Sequence, residues 1–348
     1  MKLLCFSVSF LVFVLQFILY SPLVNFKGKE ERVIIKRGTN LKEFFKILKE
    51  KKVLNSSLSL LLLKIYNPKF KIFAGEWKII NSGNDLFNLK NISKAKISSQ
   101  FLITIPEGYE LKKILKLISE KTGIELDELK KLTENTENFK DIFKNNPPKS
   151  LEGYLFPDTY FLSYNLSPKE IISIFIKRLF EVLKELKYDS IKEKLDLDLN
   201  QILTLASIIE KEATYDFEKK IISSVYYNRL KKGIPLQADP TIQYLLPEPI
   251  FPLPKKFLKI SSPYNTYINK GLPPGPICSP GKASIEAALY PLNTDFLYFV
   301  SKGDGTHIFA RTYKEHLKNK KIAKKEWEKR GLIKKTLGSE QGLFKQNF

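Results

Sequence analysis

Asn200-Gln201-Ile202-Leu203-Thr204-Leu205-Ala206-Ser207-Ile208-Ile209-Glu210-Lys211-Glu212-Ala213-Thr214 is the stretch around which the rest of the chain is organised. From Ile202 to Ala213 apolar residues occur nearly all the way round a 3.6-residue period, the pattern of a buried helix, and Asn200 can cap its start. At 100° per residue Leu203, Ser207, Glu210 and Thr214 share one face, with the small Ala206 beside them, so Glu210 is expected in a shallow notch. Glu212 projects to the opposite side, so the two carboxylates are not expected to work as a pair. A carboxyl held in partly apolar surroundings keeps its proton to higher pH, as a general acid requires. The plain alternative is a glutamate that caps the helix or pairs with a lysine such as Lys211.

Around this helix the signals mix both structural classes and predict an α+β fold. Upstream, Ser167-Pro168-Lys169-Glu170 is a capping box with proline at the first helical position, predicting a helix to about Leu186. Downstream, Gly233 can end a helix that carries Tyr226, Tyr227, Asn228 and Arg229. Leu297–Val300 and His307–Ala310, joined through Gly303-Asp304-Gly305, read as a β-hairpin, and Thr312 with Glu315 caps a last helix. Towards the amino terminus, residues 27–106 read as a small α+β module. It has strands at Val33–Ile35 and from Gly75, a turn at Gly38, a helix with Leu41, Phe44, Phe45 and Leu48, and a second helix over Leu58–Leu63. A strand at Leu102–Ile105 and a helix over Leu111–Ile118 follow, and the Asn-rich span 134–149, closing on Pro147-Pro148, reads as a boundary. The expected division is a membrane anchor over 1–26, the module over 27–106, a helical connector over 107–150, the main domain over 151–335 and a tail over 336–348.

The 348 residues carry a formal charge of +21, but the lysines are dispersed over nearly every segment, which argues against a nucleic-acid binder; the plain reading is solvated surface, and an anionic lipid surface or wall polymer would be served equally well. Cys5 and Cys278 make no disulfide framework, and with only His307 and His316 no usual zinc site has enough ligands, so no metal and no cofactor is expected. Leu3 to Phe26 contains no charged residue and is long enough to span a bilayer. Because Tyr20-Ser21-Pro22-Leu23 is a poor cleavage site, an uncleaved signal anchor is expected. The flanking charges do not decide its orientation.

Five segments in order give the helix its context. They are Glu152-Gly153-Tyr154-Leu155-Phe156-Pro157-Asp158-Thr159-Tyr160; Ala206 to Glu212; Leu236-Gln237-Ala238-Asp239-Pro240-Thr241; Ser262-Pro263-Tyr264-Asn265-Thr266-Tyr267 with Gly271-Leu272-Pro273-Pro274-Gly275-Pro276-Ile277; and Tyr298-Phe299-Val300 with His307 and Phe309. In this combination the chain closely resembles the YceG-like family of endolytic murein transglycosylases, from about Arg32 to Leu317 and most strongly beyond Leu151. The resemblance implies a single inner-membrane anchor, a LysM-like module, and a catalytic domain unrelated in fold to lysozyme that acts outside the cytoplasm on peptidoglycan strands, in association with wall synthases. It assigns the catalytic glutamate to Glu210. Ser279 departs from the asparagine expected in the Pro-Gly loop.

A lytic transglycosylase needs one carboxyl, because the 6-hydroxyl of the muramyl residue attacks its own C1 and leaves a 1,6-anhydro end. Substrate contacts are expected from Ser207, Gln237, Asn265, Thr266, Pro274 and His307, with Tyr154, Tyr160, Tyr244 and Tyr267 able to stack on sugars or simply pack. Asp158 can orient its turn or touch sugar. Asp239, the rival carboxylate, can cap a helix or touch sugar, and Arg229 can pair internally or meet a substrate carboxylate. The competing classes are a membrane-tethered glycan-binding scaffold without activity and a conventional hydrolase that produces reducing ends.

Overall fold

The computed structural model describes residues 28–55, 63, 67, 68, 70–83, 85–194, 196–251 and 253–331, and within them the fold is mixed α and β. The apolar segment over 3–26 and the tail lie outside the described residues, as does nearly all of the helix expected over 58–63. Among the described residues no helix is long and apolar enough to cross a membrane.

The described residues divide into two compact units that interleave in sequence: the first takes those from 28 to Ile103 with Leu117–Glu128 and Tyr160–Ile171, the second takes Thr104–Lys116, Leu129–Thr159 and those from Ile172 to 331. In the first, β1 (Lys29–Ile35), β2 (Gly75–Asn81) and β3 (Lys96–Ser98) form an antiparallel sheet in that order, in a register that sets Val33 opposite Trp77 and Trp77 opposite Ile97. Gly38 turns the chain with φ +80°, and α1 (Leu41–Glu50) then starts on a capping box. There the Asn40 side chain accepts from the Lys42 and Glu43 amides while the Glu43 carboxylate accepts from the Asn40 amide. Helical spacing puts Phe44, Phe45 and Leu48 on one face, and these join Val33, Ile35, Trp77, Ile79 and the α2 (Asp85–Ser93) residues Leu89 and Ile92 in one core. Each such fully buried side chain stabilises by roughly 1.5 to 3 kcal/mol relative to exposure.

After β4 (Gln100–Thr104) come α3 (Leu111–Thr122) and α4 (Leu126–Glu134), and β4 pairs with β5 (Thr159–Ser163) as a two-stranded ribbon. The Asn-rich span 134–149 is no bare linker, since Phe139 and Phe143 are buried there. The second unit is built on α5 (Pro168–Glu185) from Ile172 on, α6 (Leu199–Glu212) and α7 (Asp216–Lys231), followed by the short α8 (Asp239–Gln243), α9 (Lys282–Leu289), the hairpin β6 (Tyr298–Ser301) with β7 (His307–Ala310), and α10 (Tyr313–Lys329). All residues of α6 from Ile202 to Ile209 are buried, and α7 and α9 pack against it.

The expected capping boxes form at Ser167 with Glu170 and at Thr312 with Glu315, and Gly233 follows α7 with φ +61°. The cap of α6 differs from expectation. Asp198 fills it, accepting from the Gln201 amide at 2.8 Å while the Gln201 side chain accepts from the Asp198 amide at 2.9 Å. Asn200 lies inside the helix, where its side chain accepts from Tyr154 Oη and donates to the Pro274 carbonyl. The physical reason is that Asp198 with Gln201 offers the reciprocal pair of bonds, whereas Asn200 has no acceptor three residues on.

Candidate active site

The last turn of α6 ends in two carboxylates with contrasting surroundings. Glu210 Oε2 accepts from the Gly281 amide at 3.1 Å and Ser284 Oγ at 2.5 Å, both in the first turn of α9, and lies 3.5 Å from Lys219 Nζ. Lys219 is buried and also holds Asp216 at 2.9 Å. Glu107 closes the same cluster so tightly that a Cβ added to Gly281 would stand 1.9 Å from Glu107 Oε1, and burial, followed by the charge of Glu210, raises the Glu107 pKa. A carboxylate at a helix N-terminus is favoured by the free amides and the helix dipole, so Glu210 reads as a staple between α6 and α9.

The part of the expected notch that Ser207 lines is filled. Ser207 is fully buried, donating to the Thr204 carbonyl at 2.7 Å and accepting from the Ile277 amide at 3.0 Å, with Cys278 packed next to it. Neither Glu210 nor Ser207 lines either of the two cavities described below. The Pro-rich segment that was to form a groove wall packs onto Ser207 through Ile277 and Cys278, while the Glu210 side chain stays about 10% exposed.

The opposite face of the same turn opens on a cavity of about 510 Å³ whose wall includes Glu212, Arg229, Gln237, Asp239, Tyr267 and His307. Tyr226 Oη donates to Glu212 Oε1 at 3.0 Å, and Oε2 has no hydrogen-bond partner among the described residues. Burial, followed by the nearby Asp239, pushes the Glu212 pKa up to about 8, against the opposing Tyr226 hydrogen bond. Asp239 opens α8 and accepts from Tyr267 Oη, and burial raises its pKa as well. Two carboxyls in one poorly solvated site resist ionising together, which keeps a proton on the site near neutral pH.

The other wall residues are held from behind. Arg229 donates to the Pro235 carbonyl at 3.0 Å, the Leu297 carbonyl at 3.1 Å and Gln237 Oε1 at 2.7 Å, and lies over the Tyr298 ring. Gln237, tied to Arg229 through Oε1 and to the Thr266 carbonyl through its amide, takes a left-handed conformation, φ +52°, that a non-glycine residue adopts at some cost, and its side-chain NH₂ has no partner among the described residues. Asn265 and Thr266 stand behind the wall. Asn265 donates to Leu258 and Ile260 carbonyls and accepts from the Tyr267 amide, while Thr266 Oγ1 accepts from the Ala238 amide and pairs with Thr241 Oγ1. They shape the Asp239 and Tyr267 loops without reaching the cavity. His307 is clamped by Glu218, which accepts from its amide at 2.9 Å and meets Nδ1 at 2.7 Å. Sequence reasoning missed Glu218, because nothing local ties it to a histidine 89 residues away.

The remaining expected site residues lie elsewhere. Tyr154 and Pro274 line a second cavity of about 1200 Å³, together with Glu152. Glu152 is buried, its pKa pushed up to about 7 mainly by that burial, and both oxygens are engaged, by the Leu111 amide and by Tyr244 Oη. Tyr244 therefore serves Glu152 and does not line the Glu212 groove. Asp158 pairs with Arg178 at 2.9 Å, and Tyr160 is buried in the first unit. No group of three or more His, Cys, Asp or Glu side chains among the described residues could hold a metal ion.

Comparison with known proteins gives this geometry a context. The model of the YceG-like family matches residues 33–322. An endolytic murein transglycosylase of Bacillus subtilis is 36% identical over 301 residues, covering 82% of each chain. One of Streptococcus pneumoniae is 28% identical, covering 90% of this chain and 64% of its own. The crystal structure of a putative yceG-like protein from Listeria monocytogenes superposes with a TM-score of 0.59 at 34% identity, covering 83% of this chain and 98% of that one.

Proposed function

This chain belongs to the YceG-like family, and on that premise we propose that it is an endolytic murein transglycosylase. It cuts between N-acetylmuramic acid and N-acetylglucosamine within glycan strands, with Glu212 as the acid/base. The observation that carries this reading is a carboxyl on a groove wall, pushed up to about 8 by burial and by Asp239, with one oxygen unpartnered among the described residues.

A general acid must still hold its proton at working pH, and burial beside Asp239 favours the protonated form of Glu212. Its proton passes to the bridging oxygen as the C1–O bond breaks. The 6-hydroxyl oxygen of the same muramyl residue bonds to C1, and its proton returns to the Glu212 carboxylate, leaving a 1,6-anhydro end and the enzyme unchanged. No water is consumed. Holding the hydroxyl next to C1 replaces the second carboxyl that hydrolysing glycosidases use. Asp239, tied to Tyr267, favours the protonated form of its neighbour, while the free amide of Gln237 and the clamped ring of His307 suit sugar hydroxyl and acetamido groups.

The apolar segment over 1–26 would anchor the chain in the cytoplasmic membrane with residues 151–335 outside, where the polymer and its synthases lie, and residues 27–106 would act as a LysM-like glycan-binding module. One observation favours a second reading: Asp239 beside Glu212 supplies the second carboxyl that a hydrolase needs. Mass spectrometry of strands digested by the full chain decides between them. The proposal predicts ends lighter by one water than hydrolysis products; reducing ends would mean a hydrolase, and no new ends would mean a binding scaffold.

A further inference from the structure

The Glu212 groove leaves two motif-bearing segments unused, Glu152–Pro157 and Gly271–Ile277, and residues of both meet at the larger cavity of about 1200 Å³. We propose that this cavity is a second binding site for the glycan strand, one that takes the carboxylates of its stem peptides. The ligand class rests on the murein reading above; the site itself rests on charge, shape and rigidity.

The charge of its wall leans positive once internal partners are counted. Of the acidic side chains lining the cavity, Asp189 is paired with Lys192 at 3.0 Å, Glu181 shares Arg178 with Asp158 and Glu185, Glu152 is buried between the Leu111 amide and Tyr244, and Asp198 is turned to the Gln201 amide at 2.8 Å. Lys144, Lys149, Lys177 and Lys184 line the same cavity, are exposed, and form no ion pair among the described residues. The available charge is positive, which attracts carboxylates and sets register more than raw affinity.

Between the lysines the wall carries ring faces. Phe180, Tyr188 and Tyr264 are half-buried there, and Tyr154 packs edge-on against Phe143 at 5.5 Å. Rings of this kind offer flat apolar area to sugar faces at small entropic cost. The prolines at 147, 148, 274 and 276 stiffen the rim, and Gly153, at φ +81°, lets Pro276 pack so closely that a Cβ there would stand 2.4 Å from Pro276 Cβ. The cavity is thus formed before any ligand arrives, which lowers the cost of binding. Its volume exceeds the roughly 300 to 1,000 Å³ usual for small-molecule sites and fits a segment of polymer.

The test compares glycan strands bearing stem peptides with the same strands stripped of them by an amidase. Binding is measured with the full chain carrying Glu212→Gln, so that strands stay intact. Peptide-bearing strands should bind at least about tenfold tighter at low salt, as two to three weak ion pairs imply, with the preference fading as salt rises. The double substitution Lys177→Glu/Lys184→Glu should abolish the preference, and Lys149→Gln, a milder change, should reduce it. Cutting of short stripped strands by the same lysine variants in the otherwise unchanged enzyme should stay as fast as before. Equal binding of both strand types, or a preference that survives the double substitution in a protein with unchanged thermal unfolding, would overturn the proposal. Failure of the unchanged enzyme to cut any strand would instead break the murein reading, so the two failures are separable.

Discussion

Glu210 and Glu212 stand two residues apart on one helical turn and differ in everything except chemistry. Glu210 gives its carboxylate to the first turn of α9 and to the buried Lys219. Glu212 receives one hydrogen bond, from Tyr226, and shows its other oxygen to a cavity. All three Glu210 contacts run to Oε2, as the single Glu212 contact runs to Oε1, so what separates the two carboxyls is the number of partners and the face each lies on. The contrast teaches that the identity of a catalytic carboxyl lies in what covers the face it sits on.

The largest effect expected from this contrast is on rate. Glu212→Gln should lower kcat by about a thousandfold or more, measured as release of new strand ends, with the circular dichroism spectrum unchanged. Glu210→Gln should break the comparison the other way, costing about 1.5 kcal/mol in chemical denaturation because the bonds to α9 weaken while Lys219 keeps Asp216 at 2.9 Å, and activity per folded molecule should stay within several-fold.

The pH dependence of stability sharpens the point. The folded-state pKa of Glu212 is raised to about 8 from 4.5, so stability from holding it protonated is complete below about 4.5 and is lost as pH rises through about 8. Glu212→Gln should therefore unfold at a higher temperature than the unchanged protein at pH 9, and the gap should narrow towards pH 5. Removing the hydroxyl with Tyr226→Phe takes away the one bond that favours the ionised form, so the fall of kcat/KM at high pH should move to still higher pH. The smallest effect is at the far end of the same helix, where Asp198→Ala should cost about 1 kcal/mol by removing the cap.

Much of this molecule was legible before any coordinates. The buried helix around Ile202–Ile209, the capping boxes at Ser167 and Thr312, and the hairpin from Tyr298 to Ala310 all follow from local periods and turn chemistry, and all are present. The cap at Asp198 was also readable, as an acidic residue three places before Gln201, but Asn200 drew the assignment by lying closer to the apolar run. What the sequence could not reveal was long-range cover. Helix periodicity separates the Glu210 and Glu212 faces correctly, yet Ile277, which packs onto Ser207 on the first, lies 70 residues beyond it. The same limit hid Glu218 behind His307 and the split of Tyr154 and Pro274 from the Glu212 groove. Asn265 and Thr266 were found as polar residues in a motif, but their bonds run to backbone, which residue type alone does not reveal.

The most direct test of the account is the titration of one carboxyl. Carbon-13 NMR of protein labelled at its glutamate carboxyls, with the Glu212 signal identified by its loss in Glu212→Gln, should show a midpoint near 8. A Glu212 signal that titrates near 4.5, the ordinary value for a glutamate, would contradict the claim that this side chain is the reserve of protons for cutting the strand.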